Sequence, residues 1–587
     1  MKKMLKLQIM SVLLFAVCGL VFARQPVTIT VIGTTDMHGN IWGYSYEDNK
    51  ETANNGIARV YTYIKSVRAE NPDHVVLVDD GDAFQGTILT DDLYNKQTGP
   101  HPLMDVMNYM KYDSMTLGNH EYNFGISLIQ RLVKQAKFPM LGANVQFTNN
   151  KELVKPYTIV KRDGIKIGII GLTNPDVPRW DGEKVDALKF QSVADGAIKA
   201  YNEIKNKCDF VIAVAHVGLF AEYDEEHGSD AGEAIIKACP GIRVLMLGHA
   251  HVTVNEKIGD TVVLSCKNSA REVARFDVSL DADKKITGIT GTVTDMAKYQ
   301  PSDEIRNLPS VKEAHEKTIA FVTGGTKNAD GTVSGGVFGT AAVDFQPVNE
   351  IKGIPEGKLR DTAVMDLINK VQLQNSGADV SAAALFKDTS NLKAGPINYG
   401  NIFDIYKFDN TLYRVEVTGA ELKAYMEWSA ACYNQWKPGD MSISFNPDKP
   451  GYLYDMFAGI DYQIDLSKPA GQRIVNVMFK GKPLADDQKL QLAVNNYRYS
   501  SALKTQKLVA EKRNWESSQS IRDMLVAYIK QQGTIKPEVD NNWSITGVDL
   551  SSPYREDVIK MVNEGKIEVP YAKSLNVDAL KAAGVIK

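Results

Sequence analysis

The sequence predicts an α/β domain in the first half of the chain and a mixed α+β domain in the second half. The chain has 587 residues, and because a single hydrophobic core stops growing at about 250–300 residues, two or more domains are expected. Short apolar runs in the first half each end in Gly, Asp, Asn or His, as buried strands do when they deliver polar side chains to one sheet edge. In the second half, residues 361–373 and 420–430 have a helical pattern, and residues 411–417 have that of a strand.

The apolar runs of the first half are the strongest signal in the sequence. They cover residues 27–32, 75–78, 114–117, 210–215 and 244–247. The polar side chains that follow them are Asp36, His38, Asp82, Asn119, His120, His216, His249 and His251. A lone His after a strand is more often structural than catalytic, but five of the nine histidines occupy these positions beside three Asp or Asn residues. We therefore predict one shared functional site and expect the other four histidines at the surface: His74, His101, His227 and His315.

The chemistry of these side chains favours a metal centre. Asp, Asn and His without Cys suit Zn²⁺, Mn²⁺, Fe²⁺ or Co²⁺. Two divalent ions ~3.5–4 Å apart need a bridging carboxylate, and together they orient a phosphoryl group and neutralise its developing charge. Asp82, alone on its loop, is the natural bridge, and the Asp36-x-His38 spacing places both side chains on one side of an extended segment. His120 directly follows Asn119, so it should point elsewhere and donate a proton or hydrogen bond.

In this order, the residues resemble the calcineurin-like metallophosphoesterases, whose signature is Asp-x-His, Gly-Asp, Gly-Asn-His-Glu/Asp, a distant His and Gly-His-x-His. The resemblance implies a four-layer sandwich of two mixed sheets flanked by helices, with two divalent metal ions (Zn, Mn or similar). It implies one metal at Asp36, His38, Asp82 and His251, and a second at Asp82, Asn119, His216 and His249. His120 then stands beside the phosphate.

The second half resembles the substrate-binding domain of the periplasmic 5′-nucleotidase family, and the whole looks closest to its 2′,3′-cyclic-nucleotide 2′-phosphodiesterase/3′-nucleotidase branch. The matching stretches are 408–412, 417–422 and 495–498. The resemblance implies that Phe408 and Tyr497 stack on the nucleobase and that Asn410 hydrogen-bonds base or sugar. Without the family, core packing of both rings is the better interpretation.

Two positions depart from the 5′-nucleotidase pattern. Asn123 stands where typical 5′-nucleotidases carry an Asp paired with the catalytic His, and this Asn resembles the cyclic-phosphodiesterase branch. Lacking that charge, His120 is expected to act more as a hydrogen-bond donor than as a strong acid. The family's Gly-Gly-Ile-Arg phosphate loop is replaced by residues 383–387, where Lys387 can supply charge but not the bidentate geometry of Arg.

The first residues read as an export signal. Lys2, Lys3 and Lys6 precede the apolar run 9–22, which is shorter than the ~20 residues of a membrane anchor. A lipid-modified Cys18 is the other alternative. We therefore expect a periplasmic or secreted protein. The predicted organisation is signal peptide 1–23, metallophosphoesterase domain 24–300, linker helix and loop 301–330 with a boundary near Lys317, substrate-binding domain 331–550 and helical tail 551–587.

Net charge, apolar segments and cysteine count restrict the kinds of partner that the protein can have. The net charge of −4 makes a nucleic-acid polymer an unsuitable partner, and no later segment predicts a membrane span. Four scattered cysteines after residue 23 allow at most one or two disulfides. We expect a monomer that acts on small nucleotides, hydrolysing 2′,3′-cyclic nucleotides and 3′-nucleotides. The alternatives are a broad 5′-nucleotidase and an inactive exported binding protein.

Overall fold

A computed structural model describes residues 25–46, 48–222, 224, 227–327, 333–334, 336–449, 451–511, 513–569 and 571–587. The signal peptide predicted for residues 1–23, including Cys18, lies outside the described residues, as does part of the predicted 301–330 linker.

Two six-stranded mixed sheets form the first half. The first sheet has the order β12-β11-β1-β2-β3-β4 and the second has the order β9-β10-β8-β7-β6-β5. The strands are β1 Val27–Thr34, β2 Val75–Asp79, β3 Ser114–Thr116, β4 Met140–Leu141, β5 Tyr157–Arg162, β6 Ile165–Leu172, β7 Phe210–Ala215, β8 Val244–Leu247, β9 Val254–Ile258, β10 Thr261–Ser265, β11 Glu272–Leu280 and β12 Ile286–Asp295. The runs predicted at 210–215 and 244–247 match β7 and β8 residue for residue.

Helices cover the outer face of each sheet. They are α1 Ile57–Glu70, α2 Pro102–Met110, α3 Ile126–Gln135, α5 Val193–Ile204 and α6 Gly232–Ala238, whereas the short α4 Val177–Asp181 contacts residues 496–504 of the second half. Ile29 of β1 and Ile167 of β6 belong to a core between the two sheets. Alternate positions face outward, so Ile170 packs with α5 and α6, and Ile32 packs with α1 and α2. The layers are helix, sheet, sheet and helix, which confirms the predicted four-layer sandwich.

Parallel pairing gathers the functional loops. β1, β2 and β3 are parallel neighbours in the first sheet, and β7 and β8 are parallel neighbours in the second. Their carboxyl ends therefore lie together within each sheet. The two edges also meet, because a Cβ at Gly248 after β8 would lie 2.2 Å from Oγ1 of Thr35 after β1.

The second half is α+β, as predicted. Its largest sheet has the order β17-β14-β20-β16-β21. The main strands are β13 Val337–Ala341, β14 Val380–Ala383, β15 Gly395–Asn398, β16 Thr411–Thr418, β17 Met456–Ala458, β18 Asp461–Asp465, β19 Ile474–Phe479, β20 Lys489–Asn495, β21 Arg513–Ser520 and β22 Trp543–Thr546. Its helices are α9 Ala363–Ser376, α10 Tyr399–Ile405, α11 Gly419–Ala430 and α12 Ile521–Gln532.

Helical segments precede and follow this second half. α7 Asp303–Arg306 and α8 Pro309–Thr323 connect the two halves, and the boundary expected near Lys317 falls inside α8. The tail contains α13 Arg555–Asn563 and α14 Val577–Ala582. It packs on the second half, where Nζ of the buried Lys358 donates to the hydroxyl of Tyr571 at 2.8 Å.

Two of the four histidines expected at the surface are buried, so that prediction is wrong for them. His101 has no exposed surface and caps α2, with Nδ1 accepting from the Leu103 amide at 3.2 Å. His315 is 9% exposed and stacks on Trp42 at 3.9 Å between ring centroids. His101 stands between two prolines and His315 among charged residues, so neither sequence context indicated burial, which comes from packing against distant elements.

The four cysteines of the described residues are all free thiols, which lies within the limit of at most one or two disulfides set by the sequence. Among the helices of the described segments, none has the length and apolar character to cross a bilayer.

Candidate metal centre

The predicted ligands sit in an unusual backbone conformation. Asp36, His38, Asp82, His249 and His251 all have φ between 46° and 65°, the left-handed region that few non-glycine residues adopt. The extended arrangement expected for Asp36 and His38 is therefore wrong, although both side chains do reach the same point. Strain of this kind costs of the order of 1–3 kcal/mol per residue and clusters at functional sites.

Asp36, His38 and His251 form the first ligand group, with ligand atoms within 4.8 Å of one another. Nε2 of His38 lies 3.0 Å from Nε2 of His251, and Oδ1 of Asp36 lies 3.2 Å from the same His251 nitrogen. Nδ1 of His38 faces the carbonyl of Gln85 at 3.0 Å. Because that carbonyl can only accept, Nδ1 carries the hydrogen and Nε2 turns its lone pair toward the group.

Asp82, His216 and His249 form the second group, again within 4.8 Å. Oδ2 of Asp82 lies 3.0 Å from Nε2 of His216. Asn119 joins them, because its Oδ1 lies 2.8 Å from Nδ1 of His249. The structure thus brings together all seven side chains that the resemblance implies as metal ligands.

The donor set fits divalent cations. Oδ1 of Asp36 and Nε2 of His216 are buried without a hydrogen-bond partner, which is costly unless a cation accepts their lone pairs. Burial raises the pKa of the Asp36 carboxyl, but His216 and His251 outweigh this and lower it to about 2. Burial lowers the pKa of His38 to about 3. Asp36 and His38 therefore favour the carboxylate and neutral-imidazole forms that metals require. Burial lowers the pKa of His216, but Asp82 and Asp36 outweigh this and raise it well above its usual value.

Glu121 holds the two central loops together. Its buried carboxylate accepts from the backbone amides of Asp82 at 2.8 Å, Ala83 at 2.9 Å and Gly118 at 2.7 Å. Gly118 has no room for a side chain, since a Cβ there would lie 2.2 Å from Oδ1 of Asp82. This loop pair fixes Asp82 between the two ligand groups.

His120 is oriented by a hydrogen bond at its Nδ1, on the side of the ring that faces away from the metal ligands. Its Nδ1 lies 2.6 Å from Oδ1 of Asn123, and Nδ2 of Asn123 donates to both oxygens of Asp181 at 3.1 and 3.2 Å. Its Nε2 lies 3.9 Å from Oδ2 of Asp82, so it faces the metal ligands. Burial raises the pKa of the Asp181 carboxyl, while Lys184 and Asn123 act in the opposite direction.

Glu222 and Trp180 border the second ligand group. Oε2 of Glu222 lies 2.8 Å from Nε2 of His249. The Trp180 ring lies 5.3 Å from the His249 ring. Tyr497 of the second half is close enough for Glu222 to raise its pKa, although burial is the larger cause.

The second half places one predicted substrate residue opposite His120, which adjoins the metal ligands. The Phe408 ring lies parallel to the His120 ring with centroids 6.4 Å apart. Tyr497 is half-buried and neighbours Tyr452. Asn410 is 8% exposed, and Nζ of Lys387 pairs with Asp404 at 3.2 Å. The roles of these four residues in substrate binding stay predictions.

Sequence reasoning missed Asp181 and Glu222. Both come from segments that follow β6 and β7 without a recognisable motif, so no signal in the sequence marked them. Glu121 lay inside the quoted Gly-Asn-His-Glu motif, and its burial was the missing information.

Two family models match the chain. The calcineurin-like phosphoesterase family matches residues 29–253, and the 5′-nucleotidase C-terminal domain matches residues 337–508. These matches agree with the resemblance inferred from the motifs.

Curated relatives extend over most of the chain. This chain is 29% identical over 584 residues to the trifunctional nucleotide phosphoesterase protein YfkN of Bacillus subtilis. The aligned region covers 90% of this chain and 39% of YfkN. The chain therefore spans well under half the length of YfkN. It is 27% identical over 599 residues to a 2′,3′-cyclic-nucleotide 2′-phosphodiesterase/3′-nucleotidase of Haemophilus influenzae, with 90% of this chain and 89% of that protein covered.

The fold is shared with a solved structure from Staphylococcus aureus described as a 5′-nucleotidase. The TM-score is 0.76 at 21% identity, and the match covers 89% of this chain and 100% of that chain. At this identity the likeness concerns the fold alone.

Proposed function

The chain belongs to the calcineurin-like phosphoesterases that carry a 5′-nucleotidase C-terminal domain, and from this premise we propose that it hydrolyses 2′,3′-cyclic nucleotides and 3′-nucleotides to nucleosides and phosphate. It is a metal-dependent hydrolase of the metallophosphoesterase class. The observation that carries the proposal is the convergence of two ligand groups that contain buried atoms without a hydrogen-bond partner, beside His120, whose ring faces Phe408 of the second half. The names of the relatives support the choice of nucleotides.

We assign the metal ligands as the motifs imply. Asp36, His38, Asp82 and His251 would hold one divalent ion, and Asp82, Asn119, His216 and His249 would hold the other. When bound, the two ions polarise the phosphoryl oxygens and neutralise the charge that develops on them. The metal can be Zn²⁺, Mn²⁺ or a similar ion.

His120 acts on the phosphate side of the site. With Nδ1–H directed to Asn123, its Nε2 faces the space beside Asp82. Once protonated, Nε2 can donate a hydrogen bond to a phosphoryl oxygen or a proton to the leaving-group oxygen there. Phe408 lies over this space and offers a face on which a base can stack. Tyr497 supplies the second face in this proposal, Asn410 hydrogen-bonds the base or the sugar, and Lys387 supplies a positive charge in place of the Arg of the family's phosphate loop.

The remaining organisation is part of the same proposal. We divide the chain into signal peptide 1–23, metallophosphoesterase domain 24–300, linker 301–330, substrate-binding domain 331–550 and tail 551–587, and place the enzyme in the periplasm or outside the cell. The second candidate is a broad 5′-nucleotidase, which the match of residues 337–508 to the 5′-nucleotidase C-terminal domain favours.

The metal assignment is tested with Asp82→Asn. Because Asp82 serves both ions in this proposal, the variant should bind fewer than two metals per chain by elemental analysis. Its kcat/KM for bis(p-nitrophenyl) phosphate should fall about a hundredfold or more. The exposed Asp260→Asn is the matched control and should retain metal and turnover. Full activity of Asp82→Asn without bound metal would overturn the proposal.

A further inference from the structure

The hydrogen bonds behind His120 continue beyond Asn123 into a buried carboxylate. Asn123 places Oδ1 toward His120 at 2.6 Å and Nδ2 toward both oxygens of Asp181 at 3.1 and 3.2 Å. Asp181 is 6% exposed and is the last residue of α4. Nζ of the neighbouring Lys184 donates to the backbone carbonyl of Asn123 at 2.9 Å.

An amide between two partners can face either way. The two ends of an Asn side chain have nearly the same shape, but one end accepts and the other donates hydrogen bonds. A carboxylate only accepts, so Asp181 attracts the NH₂ end of Asn123 and leaves its oxygen toward His120. An oxygen in that place accepts from Nδ1–H, which fixes the tautomer of His120 and directs its Nε2 to the metal ligands.

We propose that Asp181 is a positioning residue for phosphate-ester hydrolysis, which it serves by orienting the Asn123 amide and thereby the tautomer of His120. The inference rests on the proposed function. This role accounts for Asn at position 123. In typical 5′-nucleotidases a carboxylate contacts the catalytic His directly, whereas here the carboxylate of Asp181 on α4 reaches His120 through the Asn123 amide. Asn123 and Asp181 form one unit, and each residue needs the other.

A double-mutant cycle tests this unit in the zinc-loaded full protein. In Asp181→Asn, the Asn123 amide can turn either way, so kcat should fall about ten- to a hundredfold, which is less than the ~10²–10⁴-fold that a positioned acid–base group contributes in full. In Asn123→Asp, two carboxylates would lie in contact, which disfavours the ionised pair and should also lower kcat. The double variant restores one carboxylate and one amide in reversed order, so it should recover kcat to within about threefold of wild type.

The cycle separates positioning from a merely structural role. KM should stay within about twofold throughout, because Asp181 reaches the substrate only through two other side chains. The exposed Asp186→Asn, which removes a charge from the same segment, should leave kcat unchanged. Losses that add in the double variant, with no recovery, would overturn the inference.

A spectroscopic measurement distinguishes failure of this inference from failure of the proposed function. Wild-type turnover of 3′-AMP tests the function itself. In zinc-loaded protein carrying ¹⁵N-histidine, the His120 nitrogen signals, assigned with His120→Gln, should report Nδ1–H in wild type and in the double variant. In Asp181→Asn they should report a mixture of tautomers. An unchanged tautomer in Asp181→Asn would overturn the inference, whatever the activity.

Discussion

Glu222 shows how one side chain outside the predicted ligand set can tune the metal centre. Its carboxylate lies 2.8 Å from Nε2 of His249, so Nε2–H donates to it and Nδ1 is left to bind the metal. Partners of this kind are commonly worth 10–100-fold in metal affinity. We predict that Glu222→Ala weakens Zn²⁺ binding at the second site by about tenfold or more, as measured by competition with a chromophoric chelator.

The matched control for this prediction is Glu256→Ala. Glu256 is an exposed acidic residue on β9, so its removal changes the net charge equally without touching His249. Equal zinc affinity of the two variants would show that Glu222 contributes only long-range charge.

At the scale of an element, α2 depends on a buried neutral histidine at its N-cap. Burial lowers the pKa of His101 from 6.5 to about 3. Between pH 6.5 and pH 3, His101 is therefore protonated in the unfolded chain but neutral in the folded chain. This contribution is fully present above pH 6.5 and is lost as the pH falls toward 3. We predict that wild type loses free energy of unfolding more steeply than His101→Asn between pH 6 and pH 4, by up to about 1.4 kcal/mol per pH unit.

The choice of Asn keeps the cap while removing the titration, because an Asn side chain also accepts from the N2 or N3 amide. The variant should be less stable at pH 8, since it loses the contact between the His101 and Phe84 rings, whose centroids lie 4.9 Å apart. Urea denaturation with EDTA present removes metal binding from the comparison. Parallel pH profiles for the two proteins would rule out this role of His101.

At the scale of the whole molecule, the two halves meet at the metal centre. The fully buried Arg522 of α12 pairs with Asp92 of the first half at 2.7 Å and with Asp409 of the second at 3.3 Å. This places Phe408 over His120, so a nucleotide must enter between the halves. From the resemblance to the 5′-nucleotidase family we predict a hinge motion between the two halves during turnover.

Base stacking on Phe408 makes this arrangement testable. Because stacking contributes about 1–3 kcal/mol per base, Phe408→Ala should raise KM for 3′-AMP about 5- to 150-fold. A substrate without an aromatic ring, such as glycerol 2-phosphate, should keep its KM. If both substrates suffer alike in steady-state assays, the ring serves packing rather than base binding.

The positions of the metal-ligand candidates could be predicted from the sequence because the buried strands that carry them are each followed by polar residues. The bounds of β7 and β8 and the convergence of the seven ligand side chains follow from that pattern. Asp181 and Glu222 escaped prediction because tertiary packing, not chain proximity, brings them to Asn123 and His249. The left-handed backbone of Asp36 and His38 was also hidden, since spacing along the chain does not report φ.

The most direct test of the account is steady-state kinetics of the purified, Zn²⁺- or Mn²⁺-loaded protein on 2′,3′-cyclic AMP, 3′-AMP and 5′-AMP. We expect kcat/KM for the cyclic and 3′ substrates to exceed that for 5′-AMP. A preference for 5′-AMP would contradict the assignment to cyclic and 3′ substrates and favour a 5′-nucleotidase. Absence of hydrolysis of all three nucleotides by protein with two bound metals would contradict the central claim.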